Sequence, residues 1–164
     1  MDFLQLAADR YSARSFSGRP IEQEKMDRIL KAGQLAPTAV NFQPQKIFIL
    51  KSKEAIQKIR TLTHFAYDAP AVLLFCADTT KVWRSPTEHG YDTGEMDVSI
   101  VCTHMMLEAW ELGIGSVWVR EFDSRQVARP LIYRNISSRS VCFQLAIPAK
   151  CLSPMRIGII PTVH

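Results

Sequence analysis

An early run, Arg10-Tyr11-Ser12-Ala13-Arg14-Ser15-Phe16, carries the residues best suited to hold an anion. On an extended backbone Arg10, Ser12 and Arg14 point to one side, and Tyr11 and Ala13 to the other. The two guanidiniums then stand roughly 13 Å apart, about the length of a mononucleotide from its phosphate to its ring. Arg can grip a phosphate bidentately, and it can face a charged ring edge without losing its own proton. Taken alone, R-x-S-x-R fits a solvated basic loop after a helix at least as well, so the rest of the chain must decide. A second chemistry-bearing stretch is Ala36-Pro37-Thr38-Ala39-Val40-Asn41-Phe42-Gln43-Pro44-Gln45. It interleaves turn formers with neutral amides, which offer both donors and acceptors.

Other reactive side chains lack a pattern. His64, His89 and His104 have no metal-ligand spacing and read as ordinary surface or core histidines. Glu95 and Asp97 read as helix-start charges rather than acid/base catalysts. Met105 and Met106 read as core filler. Trp83 reads either as a gate over a substrate site or as a cover for the sheet.

The elements that position these residues fit a single domain over residues 1–164. The length suffices for a proper core, and 47% hydrophobic with 22% charged content is ordinary for a globular chain. No apolar run reaches membrane-spanning length, and no charged-then-apolar leader precedes the first helix, so a cytoplasmic location is expected. Cys76, Cys102, Cys142 and Cys151 form no C-x-x-C pair and read as free, mostly buried thiols.

Asp2 can cap a first helix with Phe3, Leu4 and Ala7 at helical spacing. Gly18-Arg19-Pro20 breaks the chain before a second helix over 22–35, with Ile21, Met26, Ile29, Leu30 and Gly33 on its buried side. Pro37 stops that helix. A strand is expected at 47–50, a surface helix at 53–61, and a strand buried on both faces at 71–77, closed by Asp78. Residues 79–90 form a mixed polar loop long enough to be a lid. The longest helix is expected over 92–112, with Asp92 and Glu95 making a capping-box-like start. Met96, Ile100, Leu107 and Trp110 form one of its apolar stripes; Val101, Met105 and Ala109 form another. A helix so apolar is a central one. A strand at 116–119 and a helix at 124–129 follow. The fold class is α+β, a small mixed or antiparallel sheet flanked by helices around one long central helix.

Three blocks occur in an order that resembles the nitroreductase family of FMN-dependent oxidoreductases. They are RYSARSF, APTAVNFQPQ and DVSIVCTHMMLEAWELGIGSVWVREFD. The DAPAVLLFCAD strand is similar too, and the likeness covers residues 1 to about 129. It implies FMN as cofactor and NAD(P)H as a transient reductant that donates hydride and leaves before the electron acceptor enters. It implies that Arg10 and Ser12 hold the FMN phosphate and ribityl chain, with Tyr11 also among the cofactor-binding residues, and that Arg14 lies near the flavin N1–C2 edge. There a fixed cation stabilises the negative charge of the reduced ring. Pro37, Thr38, Asn41 and Gln43 match the loop that reaches the flavin from the partner subunit of a homodimer. Val117, Trp118, Val119, Arg120 and Glu121 match the strand end whose backbone approaches flavin N5. Where the family usually has an aromatic, this chain has Gln45. Such a cofactor carries the chemistry itself, so no catalytic acid, nucleophile or metal is expected among the side chains.

The tail departs from this pattern. Residues 130–164 contain Arg134, Arg139, Lys150 and Arg156 but no acid, whereas the preceding 129 residues balance 16 basic against 16 acidic side chains. The excess charge thus belongs to the tail, which argues against a nucleic-acid-binding face on the body. Joining the last base of each codon to the first two of the next, with degenerate bases chosen freely, lets Leu131 onward encode D-L-P-E-H. Read the same way, residues 144–164 encode I-G-Y-P followed by a basic H-x-x-R-like stretch. Those are the family's own closing motifs, so the tail reads as that ending in a shifted frame. The apolar VCFQLAI segment can still serve as a strand. The expected function is an FMN-dependent oxidoreductase acting by a ping-pong mechanism on nitroaromatic, quinone or similar acceptors. The alternative is a flavin-binding protein with impaired turnover because of the tail.

Overall fold

The computed structural model describes residues 2–122 and the backbone of 141–146. Its elements in chain order are α1 (Phe3–Asp9), α2 (Gln23–Leu35), β1 (Gln45–Leu50), α3 (Lys53–Leu62), β2 (Ala71–Ala77), α4 (Gly94–Glu111), β3 (Gly115–Val119) and β4 (Val141–Ala146). The four strands form one antiparallel sheet in the order β1-β2-β4-β3. The apolar 141–146 segment fills the place between β2 and β3, pairing Ala71 with Leu145 and Gly115 with Ala146. The expected helix at 124–129 and the shifted-frame reading of the rest of the tail lie outside the described residues.

β2 explains its own composition. As an inner strand it buries Leu73 and Phe75 against α2 and α4, and Val72, Leu74 and Cys76 beneath α3. Both faces meet apolar layers, so the strand reads as a continuous hydrophobic run instead of an alternating one. Met26 and Ile29 of α2 meet Val101 and Met105 of α4 in the larger core. Gly33 lets the two helices approach, because a Cβ there would stand 2.6 Å from the Met105 sulfur. Arg28 and Glu108 tie the same helices at the surface, 2.7 Å apart. Cys76 and Cys102 are buried, as expected; the side chains of Cys142 and Cys151 lie outside the described residues.

Three expectations need correction. The Asp2 side chain makes no cap hydrogen bond, and α1 buries none of its residues; Phe3 is 63% and Leu4 75% exposed. The long helix starts at Gly94 behind Thr93, not at Asp92. Asp92 Oδ1 does accept the Gly94 N–H at 3.0 Å, but Glu95 makes no reciprocal cap and reaches Arg120 instead. Finally, the two apolar stripes expected on α4 are not equally covered. The Val101, Met105 and Ala109 stripe packs inward, whereas Met96 is 55% exposed and Ile100, Leu107 and Trp110 are half-buried. None of the described helices is long and apolar enough to cross a membrane.

Candidate functional site

The 10–14 run is extended and lies beside β3. Ser12 bridges Ser116 in parallel, and the Ala13 N–H donates to the Ser116 carbonyl at 2.9 Å. Two of the chemistry-bearing blocks are therefore neighbours: the arginine pair and the strand end carrying Val117, Trp118 and Val119. The expected alternation is present. Ala13 is buried with Phe16, Val117 and Val119, and Tyr11 packs on this small core. Tyr11 also meets Trp110 edge-on, ring centres 5.0 Å apart, a contact worth about 0.5–1.5 kcal/mol beyond its burial.

The two cations of the run lie outside that small core. Arg10 is half-buried and its Nη1 contacts the Met106 sulfur at 4.0 Å. Arg14 is exposed. Neither guanidinium meets a carboxylate among the described residues, so both remain available to an external anion. Arg120 and Glu121 follow β3 at the surface. The Arg120 Nη2 lies 3.4 Å from Glu95 of α4, and its guanidinium stands 5.8 Å from the Phe122 ring centre.

The amide loop is built differently. Pro37 is exposed just past the end of α2, and a 3-10 turn, Ala39–Asn41, follows Thr38. Val40, Asn41 and Gln43 all have positive φ, at 45°, 56° and 51°. Asn tolerates this region, but a β-branched Val there is strained. Side chains hold the shape. Thr38 Oγ1 accepts the Gln43 N–H at 3.0 Å, and Gln43 Nε2 donates to the Ala36 carbonyl at 3.2 Å and to Asn41 Oδ1 at 2.9 Å. Gln45 Nε2 donates to Gln43 Oε1 at 2.6 Å, extending an amide chain where an aromatic was the usual residue. Gln45 Oε1 is buried without a hydrogen-bond partner among the described residues. These bonds run to the end of α2 and along the loop itself, while those of the 10–14 run go to α1, β3 and α4.

At the far end of the loop, the Asp78 N–H donates to the Pro44 carbonyl at 2.8 Å. The Thr80 hydroxyl, bonded to the Asp78 carboxylate at 2.6 Å, holds that carboxyl below its ordinary value; the Thr80 N–H, Lys46 and Lys81 add to the effect.

The start of α4 gathers these parts. Glu95 reaches the exit of β3, and the buried Asp97 carboxylate accepts the Ala39 N–H at 2.9 Å. Asp97 was read as a helix-start charge, and its role in the loop was missed. A signal existed, because Asp97 extends the Val101, Met105 and Ala109 stripe one turn back at four-residue spacing. Beside this helix start a cavity of about 500 Å³ is lined by Ala77, Val82, Tyr91, Glu95 and Met96, among others. The 79–90 loop borders it. Trp83 leans edge-on against Tyr91, and Arg84 bridges to Asp92, which clips the loop to the approach of α4.

Comparison with known proteins agrees with this arrangement. A sequence model of the Nitroreductase family matches residues 7–66 and 61–144, reaching past Arg129 into β4. An Archaeoglobus fulgidus protein named as a candidate NADH dehydrogenase/NAD(P)H nitroreductase is 35% identical over 119 residues, 71% of this chain and 66% of that protein. A Bacillus subtilis protein named FMN reductase [NAD(P)H] is 28% identical, over 71% of this chain and 53% of its own length. This chain thus spans between about half and two thirds of these relatives. Among solved structures, a nitroreductase family protein of Clostridium difficile 630 superposes with a TM-score of 0.86 at 36% identity, covering 92% of this chain and 86% of that one. With the arginine run laid along β3, the amide loop against the long helix and this match over most of its length, the chain belongs to the nitroreductase family.

Proposed function

We propose that this protein is an FMN-dependent oxidoreductase that takes hydride from NAD(P)H and passes the electrons to nitroaromatic, quinone or similar acceptors in a ping-pong cycle. The observation that carries the proposal is the pair of guanidiniums without carboxylate partners among the described residues, Arg10 and Arg14, held four residues apart along the edge of β3. The donor set fits FMN. Arg10 and Ser12, with Tyr11 bracing the run, would hold the phosphate and ribityl chain. Arg14 would face the N1–C2 edge, and the backbone of Val117, Trp118, Val119, Arg120 and Glu121 would border N5. When bound, the flavin supplies the hydride acceptance and return that no side chain here can perform. The protein's part is to orient the ring and to keep a cation beside the edge that gains charge.

The same proposal includes a homodimer, with Pro37, Thr38, Asn41 and Gln43 reaching the flavin of the partner subunit, and a cytoplasmic location. The apolar surface supports a dimer: Phe3, Leu4, Val40 and Phe42 are 63%, 75%, 64% and 52% exposed. Fully burying such side chains contributes about 1.5–3 kcal/mol each. Sedimentation should give twice the chain mass, and Leu4→Asp should lower it to one chain; a monomeric parent protein would defeat the dimer.

The tail favours a second reading, a flavin binder with little turnover. Its shifted frame removes the basic group that closes the family's phosphate site. Losing one charge-assisted contact weakens binding by about 1.5–3 kcal/mol, roughly tenfold to a hundredfold. The visible absorption spectrum of the purified protein tests both readings together, because pure material that stays colourless in excess FMN excludes them. Acceptor-dependent NADH oxidation then separates the two, and gene sequencing across codons 125–135 with an intact mass tests the frame.

A further inference from the structure

We infer that Asp97 is a positioning residue, a buried carboxylate whose task is to hold the amide loop in its strained shape. Asp97 is 2% exposed, and both of its oxygens are bonded. Oδ1 accepts the Ala39 N–H at 2.9 Å, and Oδ2 accepts the Thr93 hydroxyl at 2.7 Å. A carboxylate is expensive to bury unless it is hydrogen-bonded, and its bonds to N–H and O–H groups are about twice as strong as neutral ones. Capping does not explain its place. Thr93 is the N-cap residue, yet its side chain bonds no backbone N–H of α4 and turns to Asp97.

The loop explains it better. Val40, Asn41 and Gln43 at positive φ lie directly after the anchored Ala39. Left-handed backbone is unfavourable for an L-residue, so three such residues need bonds that over-determine the shape. Thr38, Asn41, Gln43 and Gln45 supply bonds from within the segment. Asp97 is the one side chain from outside residues 36–45 that hydrogen-bonds it among the described residues. Two positions earlier on the same helix, Glu95 pairs with Arg120 beyond β3. One turn of α4 therefore fixes the amide loop with one carboxylate and the strand exit with another.

The inference rests on the proposed flavin site only for its functional consequence, and the test separates the two. Full-length protein is compared with Asp97→Ala and Asp97→Asn by amide hydrogen exchange at Ala39, FMN titration and the visible circular dichroism of bound flavin. Asp97→Asn keeps a carbonyl oxygen for the Ala39 N–H and turns its amide toward the Thr93 hydroxyl, so it should preserve most of the loop and guards against a variant that merely fails to fold. Asp97→Ala should speed Ala39 exchange tenfold or more, weaken FMN binding roughly tenfold and alter the flavin dichroism. Asp97→Asn should restore most of each signal. Unchanged Ala39 exchange in Asp97→Ala, or an Asn variant as impaired as the Ala variant, overturns the positioning role. Faster exchange with unchanged FMN affinity and dichroism overturns its link to the flavin. If the parent protein takes up no FMN, the proposed function fails while the exchange comparison still decides what Asp97 does to the loop.

Discussion

The 10–14 run and the amide loop are held in opposite ways. The run is fixed by its backbone and its buried face: the Ser12 bridge to Ser116, the Ala13 hydrogen bond, and Ala13 and Phe16 packed beside Val117 and Val119. The side chains of Arg10 and Arg14 take little part in that fastening, and they are the ones proposed to meet the ligand. In the amide loop the side chains proposed to reach the flavin are also the fastening, since Thr38, Asn41 and Gln43 make hydrogen bonds within the loop itself. A cation that must meet an anion can be presented from a strand-like edge, because the ladder needs only main-chain groups. The neutral amides proposed to meet a ring edge sit here on irregular backbone, and irregular backbone needs side chains to hold it.

That contrast can be broken or sharpened by substitution. The largest effect is expected at Arg14: Arg14→Ala should slow flavin reduction by NAD(P)H roughly a hundredfold, measured by stopped-flow absorbance, with a smaller loss of FMN affinity. Arg10→Ala should weaken FMN binding roughly tenfold to a hundredfold while the melting temperature of the apoprotein holds. A large drop in melting temperature would mean that the arginines serve the fold after all.

In the loop the pattern should reverse. Thr38→Val removes the acceptor for the Gln43 N–H and should cost about 1 kcal/mol of stability, seen in chemical denaturation before any ligand is added. Val40→Gly should relieve left-handed strain at an exposed position and raise apoprotein stability by up to about 1 kcal/mol. A loss there would point to packing of Val40 against a second copy.

The smallest effect concerns Asp78, which anchors Pro44 through its N–H. The Thr80 hydroxyl holds its carboxyl below the ordinary value, so the charged form is favoured in the folded state. Its stabilisation is full above about pH 3.9, the usual aspartate value, and fades as pH falls through the lowered folded value. Asp78→Asn should flatten that part of the acid limb of a stability-against-pH curve and leave the neutral range nearly unchanged.

Much of this was determined by the sequence alone. The continuous apolar run of β2, the α2 stripe and the boundaries of α3 follow from periodicity and turn formers, which are local. The alternation in the 10–14 run was legible for the same reason, because side chains on extended backbone must alternate. Only the tertiary structure decided that this run lies along β3, that α1 keeps an uncovered apolar face, and that α4 turns the Val101 stripe inward and leaves Met96 out. It also turned Asp97 from a helix-start charge into the anchor of a loop 58 residues earlier in the chain. The physical reason is that propensity and pattern tell which face of an element is apolar or polar. Which partner that face meets is set by contacts between distant segments, and no local spacing encodes them.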